Sequence, residues 1–274
     1  MEILTPILGL GSLGFLFGLG LAFASKRFFV KTDERTEEIL SKLPGANCGV
    51  CGKAGCLGFA QSLALGVCGV EGCKVMEEDQ RKEVADLLGI ELIPKVKAKS
   101  VLCCQGGKKI RERFNYQGIK DCISANLVLG GQKECIFGCL GFFDCVKLCP
   151  FEAISIGEEG LPVISEERCT GCGKCVEACP KRLFSLVPID KKYFVLCRSK
   201  DFGKKVLDTC PVGCIGCSKC KKACSIDAIC IADNLATIDY NKCNDCGECF
   251  KACPTKAVGE KYLGIINHLI PKYE

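Results

Sequence analysis

The stretch "CTGCGKCVEACP", from Cys169 to Pro180, sets four thiols at spacings of two, two and three residues and closes them with a proline. Thiols so close in sequence are poor staples for distant loops. They suit a chain that wraps tightly around an inorganic centre, and the fold must supply a compact cradle for each such run. The run recurs. Cys243, Cys246, Cys249 and Cys253-Pro254 keep the same spacing, and Cys214, Cys217, Cys220 and Cys224 keep it with Ser225 in place of the proline. An earlier set, Cys135, Cys139, Cys145 and Cys149-Pro150, has spacings of three, five and three, which departs from the pattern.

Composition sharpens the chemistry. The chain has 274 residues, room for two or three small domains. It holds 27 cysteines, a density seen in secreted disulfide scaffolds or metal-loaded proteins. The count is odd and most of the thiols sit in tight triplets, so disulfides are the weaker reading. There is one histidine, His268, near the C-terminus and expected at the surface. Histidine-ligated haem, Rieske-type centres and Cys₂His₂ zinc therefore lack their ligands. The formal charge is +5. Five oxidised cubes with thiolate ligands would shift it by about −10, which argues against a nucleic-acid partner.

Residues Ile3 to Ser25 carry no charge, long enough for a helix to cross a bilayer with some tilt. Lys26, Arg27 and Lys31 follow and only Glu2 precedes, which predicts an uncleaved single-pass anchor with the C-terminal side in the cytoplasm. A signal peptide would show the reverse charge order. Gly9, Gly11 and Gly14 spell G-x-G-x-x-G, but without the strand and acidic residue of a dinucleotide site. Gly14 and Gly18, with Gly11 and Ala22, read instead as a small-residue stripe for a neighbouring membrane helix.

An amphipathic helix is expected over Asp33 to Leu43. After it Cys48, Cys51 and Cys56 are separated by two and four residues, and Cys73 follows sixteen later. "LGFAQSLALG" is expected as the helix that carries the chain back to Cys73, and Cys68 as a small buried residue. Residues 33 to 92 resemble the Fe4S domain family, and the resemblance implies one [4Fe–4S] cluster on these four cysteines. Zinc remains the alternative, although it favours two separated Cys-x-x-Cys knuckles.

The later runs come in two pairs. "CPFEAISI" leads through "GLPVISEERC" to the next run, as "CSIDAICI" leads through "NLATIDYNKC". This resembles the two-cluster bacterial ferredoxin plan, in which the fourth cysteine of each run ligates the other cluster. The resemblance implies one pair of cubes on Cys135, Cys139, Cys145 with Cys179, and on Cys169, Cys172, Cys175 with Cys149. It implies a second pair on Cys214, Cys217, Cys220 with Cys253, and on Cys243, Cys246, Cys249 with Cys224. Five [4Fe–4S] clusters would use twenty cysteines and leave Cys68, Cys103, Cys104, Cys122, Cys197, Cys210 and Cys230. "SVLCCQGG" precedes the first pair as "YFVLCRSKDFGK" precedes the second, each followed by a further cysteine (Cys122 and Cys210). Buried structural thiols are the favoured reading of these, over a further metal or redox role.

The expected architecture is α+β and multidomain. Residues 1–26 form a transmembrane anchor, 33–92 a small helical single-cluster domain and 93–100 a linker that could act as a hinge. Residues 101–192 form a strand segment plus a first βαββαβ-type two-cluster module, and 193–274 a second. No catalytic residue is expected. Fully ligated cubes chained in one polypeptide make a conductor rather than a staple or a catalyst.

The whole chain is similar to the family of B subunits of the Rnf electron-transport complexes, above all in "LPGANCGVCGKAGC", "CCQGGKK" with "GIKDC", and "CIFGCLGFFDCVKLCPFEAI". The resemblance implies a component of a membrane-bound ferredoxin:NAD⁺ oxidoreductase that translocates Na⁺ or H⁺ at the inner membrane. Electrons would pass from reduced soluble ferredoxin through the clusters to membrane subunits A, D and E, with C and G as peripheral partners. The second reading is a membrane-anchored polyferredoxin serving a hydrogenase or a formate-oxidising complex; the third is a zinc-binding interaction protein. Lys147, Lys174, Lys219, Lys221, Lys222 and Lys251 either dock an acidic ferredoxin or form an ordinary solvated face.

Overall fold

A computed structural model describes residues 4–28, 33–92 and 96–260. The fourteen C-terminal residues, His268 among them, lie outside the described residues. Helix α1, Leu4–Arg27, is long and apolar enough to cross a membrane, and its described side chains are almost all exposed.

The next unit is helical. Helix α2, Glu34–Lys42, starts at Asp33, whose carboxylate accepts from the backbone N–H of Arg35 at 3.3 Å. Helix α3 is Gly55–Ala64 and α4 is Glu78–Leu88. Glu77 and Gln80 cap α4 reciprocally, and Gly89 ends it in the left-handed conformation. Ile39, Leu43, Phe59, Leu63, Val70 and Val84 form the shared core. The expected helix from Asp33 is thus one turn-capped element whose apolar stripe faces α3.

Two similar units follow. The first runs β1 (Ala98–Leu102), α5 (Cys122–Leu127), α6 (Asp144–Lys147), β2 (Ile154–Ile156), β3 (Pro162–Ile164), α7 (Lys174–Ala178) and β4 (Phe184–Pro188). The second runs β5 (Tyr193–Val195), α8 (Lys204–Thr209), α9 (Lys219–Lys222), β6 (Ile229–Ala232), β7 (Leu235–Ile238), α10 (Glu248–Ala252) and β8 (Val258–Glu260). In each, the first strand pairs antiparallel with the last, and the middle two form a hairpin. Short strands of Ile, Val and Leu suit this layout, because one face of each packs on the thiol-rich core. Strand β1 takes up the last residues of the segment read as a linker, since Ala98 pairs with Pro188.

The two units are joined face to face. Val101 and Val187 of the first pack on Phe194 of the second, with Leu196 and Tyr240 beside them. Gln105 donates to the Lys256 carbonyl at 3.0 Å, Lys191 to the Cys243 carbonyl at 2.9 Å, and Arg198 to the Ser185 hydroxyl. Lys99 is buried at this seam. It pairs with Glu166 at 3.1 Å, donates to the Ile189 carbonyl at 3.0 Å and lies 5.5 Å from the Phe194 ring centre.

Candidate metal centres

One backbone pattern builds four of the sites. Counting from Cys139, Cys169, Cys214 and Cys243, the residue two further on is left-handed in every case: Gly141, Gly171, Gly216 and Asp245, with φ between 62 and 80°. So is the residue four further on, Phe143, Gly173, Ser218 or Gly247, which caps the short helix α6, α7, α9 or α10. The third ligand sits in that helix (Cys145, Cys175, Cys220, Cys249) and is buried in all four. The fourth cysteine lies ten residues after the first. It is followed three residues later by another left-handed residue: Glu152, Arg182, Asp227 or Lys256. Each of these fourth thiols accepts a backbone N–H from the start of the next segment. The pairs are Ala153 to Cys149 (3.3 Å), Leu183 to Cys179 (3.5 Å), Ala228 to Cys224 (3.3 Å) and Val258 to Cys253 (3.4 Å).

This register changes the first run. Position 142, where the other three runs carry Cys172, Cys217 and Cys246, holds phenylalanine. The run therefore begins at Cys139, with regular geometry and its second thiol missing. Cys122 stands beside the run: Cys122, Cys139, Cys145 and Cys179 line one cavity of about 380 Å³. The Asp144 carboxylate holds Cys122 there, accepting its backbone N–H at 2.7 Å. Cys135, expected in this set, lines a different cavity. The sequence carried the signal in the alignment of "CLGFFDC" with "CIGCSKC", which places the gap. No local spacing points to Cys122, which comes from seventeen residues upstream.

The other expected sets stand as follows. Cys214, Cys217, Cys220 and Cys253 line one cavity of about 320 Å³, with thiols drawn from both ends of the unit. Cys172 lies within electrostatic reach of Cys149 and Cys169, and Cys175 of Cys169 and Cys172. The Ser100 hydroxyl of β1 approaches the Cys175 sulfur at 3.1 Å. Cys249 lies within reach of Cys243 and Cys246, and Cys224 packs on the same core. In the helical unit Cys48, Cys51, Cys56 and Cys73 ring a cavity of about 360 Å³. Its loop is pinned by Asn47, whose side-chain oxygen accepts from the Cys56 N–H at 2.8 Å; a Cβ on Gly55 would meet that oxygen at 2.7 Å.

Burial sets the electrostatics. It pushes the Cys145 thiol up to about 12 and those of Cys175, Cys220 and Cys249 to about 11, with Cys139 raised further still. Buried thiolates need a cationic centre to hold them ionised, and a bound iron–sulfur core would supply that charge. Among the described residues no three His, Cys, Asp or Glu side chains close on a point that would hold a single ion. Zinc draws four sulfurs to about 2.3 Å from one atom. Four thiols around each cavity, with backbone N–H groups aimed at several of the sulfurs, are a donor set that a [4Fe–4S] cube could use.

Comparison with known proteins agrees with this chemistry. Residues 43–76 match a family described as "Putative Fe-S cluster", residues 143–188 the LdpA Fe-S cluster-binding domain, and residues 235–258 a 4Fe-4S binding domain. The B subunit of the Na(+)-translocating ferredoxin:NAD(+) oxidoreductase complex of Acetobacterium woodii is 43% identical over 93% of this chain and 77% of its own length. The B subunit of an ion-translocating oxidoreductase complex from Methanosarcina acetivorans is 40% identical, over 93% of this chain and 97% of its own. The chain belongs to the family of Rnf B subunits. A further member, from the proton-translocating complex of Clostridium ljungdahlii, is 41% identical over 90% of this chain and 88% of its own. This chain thus carries iron–sulfur binding domains and, with its relatives, belongs to an ion-translocating oxidoreductase complex.

Proposed function

We propose that this chain is the electron-relay component of an ion-translocating ferredoxin:NAD⁺ oxidoreductase, anchored by α1 with its clusters on the cytoplasmic side. The observation that carries the reading is the closeness of ligand sets within each unit. Cys145 lies within electrostatic reach of Cys175, and Cys220 of Cys249, so two neighbouring sites share one small core. Cubes with four thiolate ligands exchange one electron with little rearrangement, and that is the chemistry they supply. The protein's part is to hold the sites close, bury the third ligand of each run and aim N–H groups at the sulfurs.

Soluble ferredoxin is the donor in this reading, and the second two-site unit is where it docks. Cys217 and Cys246 are exposed, in contrast to the buried Cys220 and Cys249. Lys219, Lys221 and Lys222 of α9 are exposed beside Cys217. An acidic partner is steered to such a cluster, chiefly through its association rate. Reversing both charges, Lys221→Glu with Lys222→Glu, should slow reduction of the assembled complex by reduced ferredoxin about tenfold at low salt. Stopped-flow bleaching of the iron–sulfur absorbance measures it, and the difference should vanish at high salt. An unchanged low-salt rate removes α9 as the docking element.

A further inference from the structure

Four cysteines outside the sites above converge on the seam between the two-site units. Cys104 follows β1 and Cys197 follows β5, at the same step: Cys103 N–H donates to Leu183 at 2.7 Å, and Leu196 N–H to Ala257 at 2.8 Å. Cys135 and Cys210 each stand four residues before a first ligand, Cys139 or Cys214. Each sits in a tight turn, closed by Gly138 N–H to the Cys135 carbonyl at 3.0 Å and by Gly213 N–H to the Cys210 carbonyl at 3.2 Å. A Cβ at Gly213 would meet the Val206 Cγ1 at 2.4 Å, whereas one at Gly138 would lie 3.3 Å from the Cys135 carbonyl oxygen. All four thiols line a single cavity of about 480 Å³, mostly apolar and of the same order as the cluster cavities. Cys135 lies within electrostatic reach of Cys104 and Cys210, and Cys197 of Cys104.

The sulfurs are cradled as ligands are. Ser199 N–H points at the Cys197 sulfur from 3.4 Å, the same two-residue step and distance as Asp245 N–H to the Cys243 sulfur. The N–H groups of Phe137 and Gly138 lie near the Cys135 sulfur and that of Val212 near the Cys210 sulfur, as those of Val75 and Met76 lie near Cys73. Such donors favour an anionic sulfur. Cys103, one residue from Cys104, is different: its thiol is buried and turned to the Val101 carbonyl and the Ser185 hydroxyl, as a structural thiol would be.

We propose that Cys104, Cys135, Cys197 and Cys210 hold a sixth [4Fe–4S] cube, two ligands from each unit, and that it is the electron link between them. The proposal rests on the iron–sulfur reading of the other five sites. Its position supports the link. The Cys197 sulfur lies within electrostatic reach of Cys214, assigned above to the second unit, and Cys139, assigned to the first, within reach of Cys104. An electron entering from a reduced neighbour on one side leaves to an oxidised neighbour on the other, with no net change at the seam. Cys68, Cys103 and Cys230 then remain as the cysteines without a cluster.

The test is iron, acid-labile sulfide and zinc per full-length chain, purified in detergent without oxygen. We expect about 24 irons and 24 sulfides, falling to about 20 of each in Cys197→Ser/Cys210→Ser, with the remaining clusters still reducible. About 20 irons in the unaltered chain overturns the proposal, and so does a count near 24 that the double substitution leaves unchanged. If the double variant does not accumulate, the unaltered chain decides between 24 and 20. About 20 irons with one zinc that the substitution removes would assign the seam to zinc and overturn the sixth cube while leaving the five-site reading standing. Zinc with no sulfide overturns both.

Discussion

At position 142 a phenylalanine ring lies against Tyr116, with ring centres 5.7 Å apart, where three equivalent runs place a ligand thiol. Cys122 is delivered to the gap by α5, whose first turn is fixed by Asp121 accepting from Ser124 N–H at 2.6 Å and by Asp144. The exchange predicts a rescue. Cys122→Ser should remove about four irons per chain or leave an incomplete cube. Adding Phe142→Cys should restore the count, at a cost of about 1 kcal/mol for the lost ring pair. Iron analysis and the EPR of the reduced chain check both; a double variant no better than the single one would place the ligand elsewhere. The turns that bring most of the candidate thiols together are legible from spacing, because a helix-capped turn fixes them within a few residues. Cys122 is not, since it reaches its site through a loop, and neither is the company Cys135 keeps.

Among the elements, the left-handed residues around the short helices explain why so little regular structure positions so many thiols. They turn the chain sharply twice before each helix, so the first three positions of a run face one cavity. Two equivalent glycines separate backbone demand from crowding. A Cβ at Gly171 would come within 2.1 Å of the Ala98 carbonyl oxygen in β1, whereas at Gly141 the nearest atom is 4.0 Å away. Gly141→Ala should therefore cost about 1 kcal/mol, the left-handed penalty alone, and Gly171→Ala distinctly more, because β1 must shift. Thermal loss of cluster absorbance compares them; equal losses would contradict the crowding at β1. The α2 helix is legible as an amphipathic pattern, and the hairpins come with the resemblance to the two-cluster ferredoxin plan. The start of β1 at Ala98 is not legible, because "IPKVKAKS" reads as a basic linker, and its buried lysine is accommodated through Glu166, the Ile189 carbonyl and the Phe194 ring.

Over the whole molecule, the seam between the two-site units turns separate stores of electrons into one path. Val101, Val187 and Phe194 fix the units against each other, and the four thiols at the seam stand between the ligand sets of the two sides. The family membership fits a chain that hands electrons on, and α1 is long enough to hold it at a membrane. The central claim is that reduced ferredoxin loads this chain with several electrons that share one route. An anaerobic titration of the full-length chain with reduced ferredoxin, followed by absorbance and EPR, tests it most directly. The account predicts uptake of about six electrons per chain, one for each cube. Uptake of none, by a chain that holds zinc and no sulfide, would contradict it.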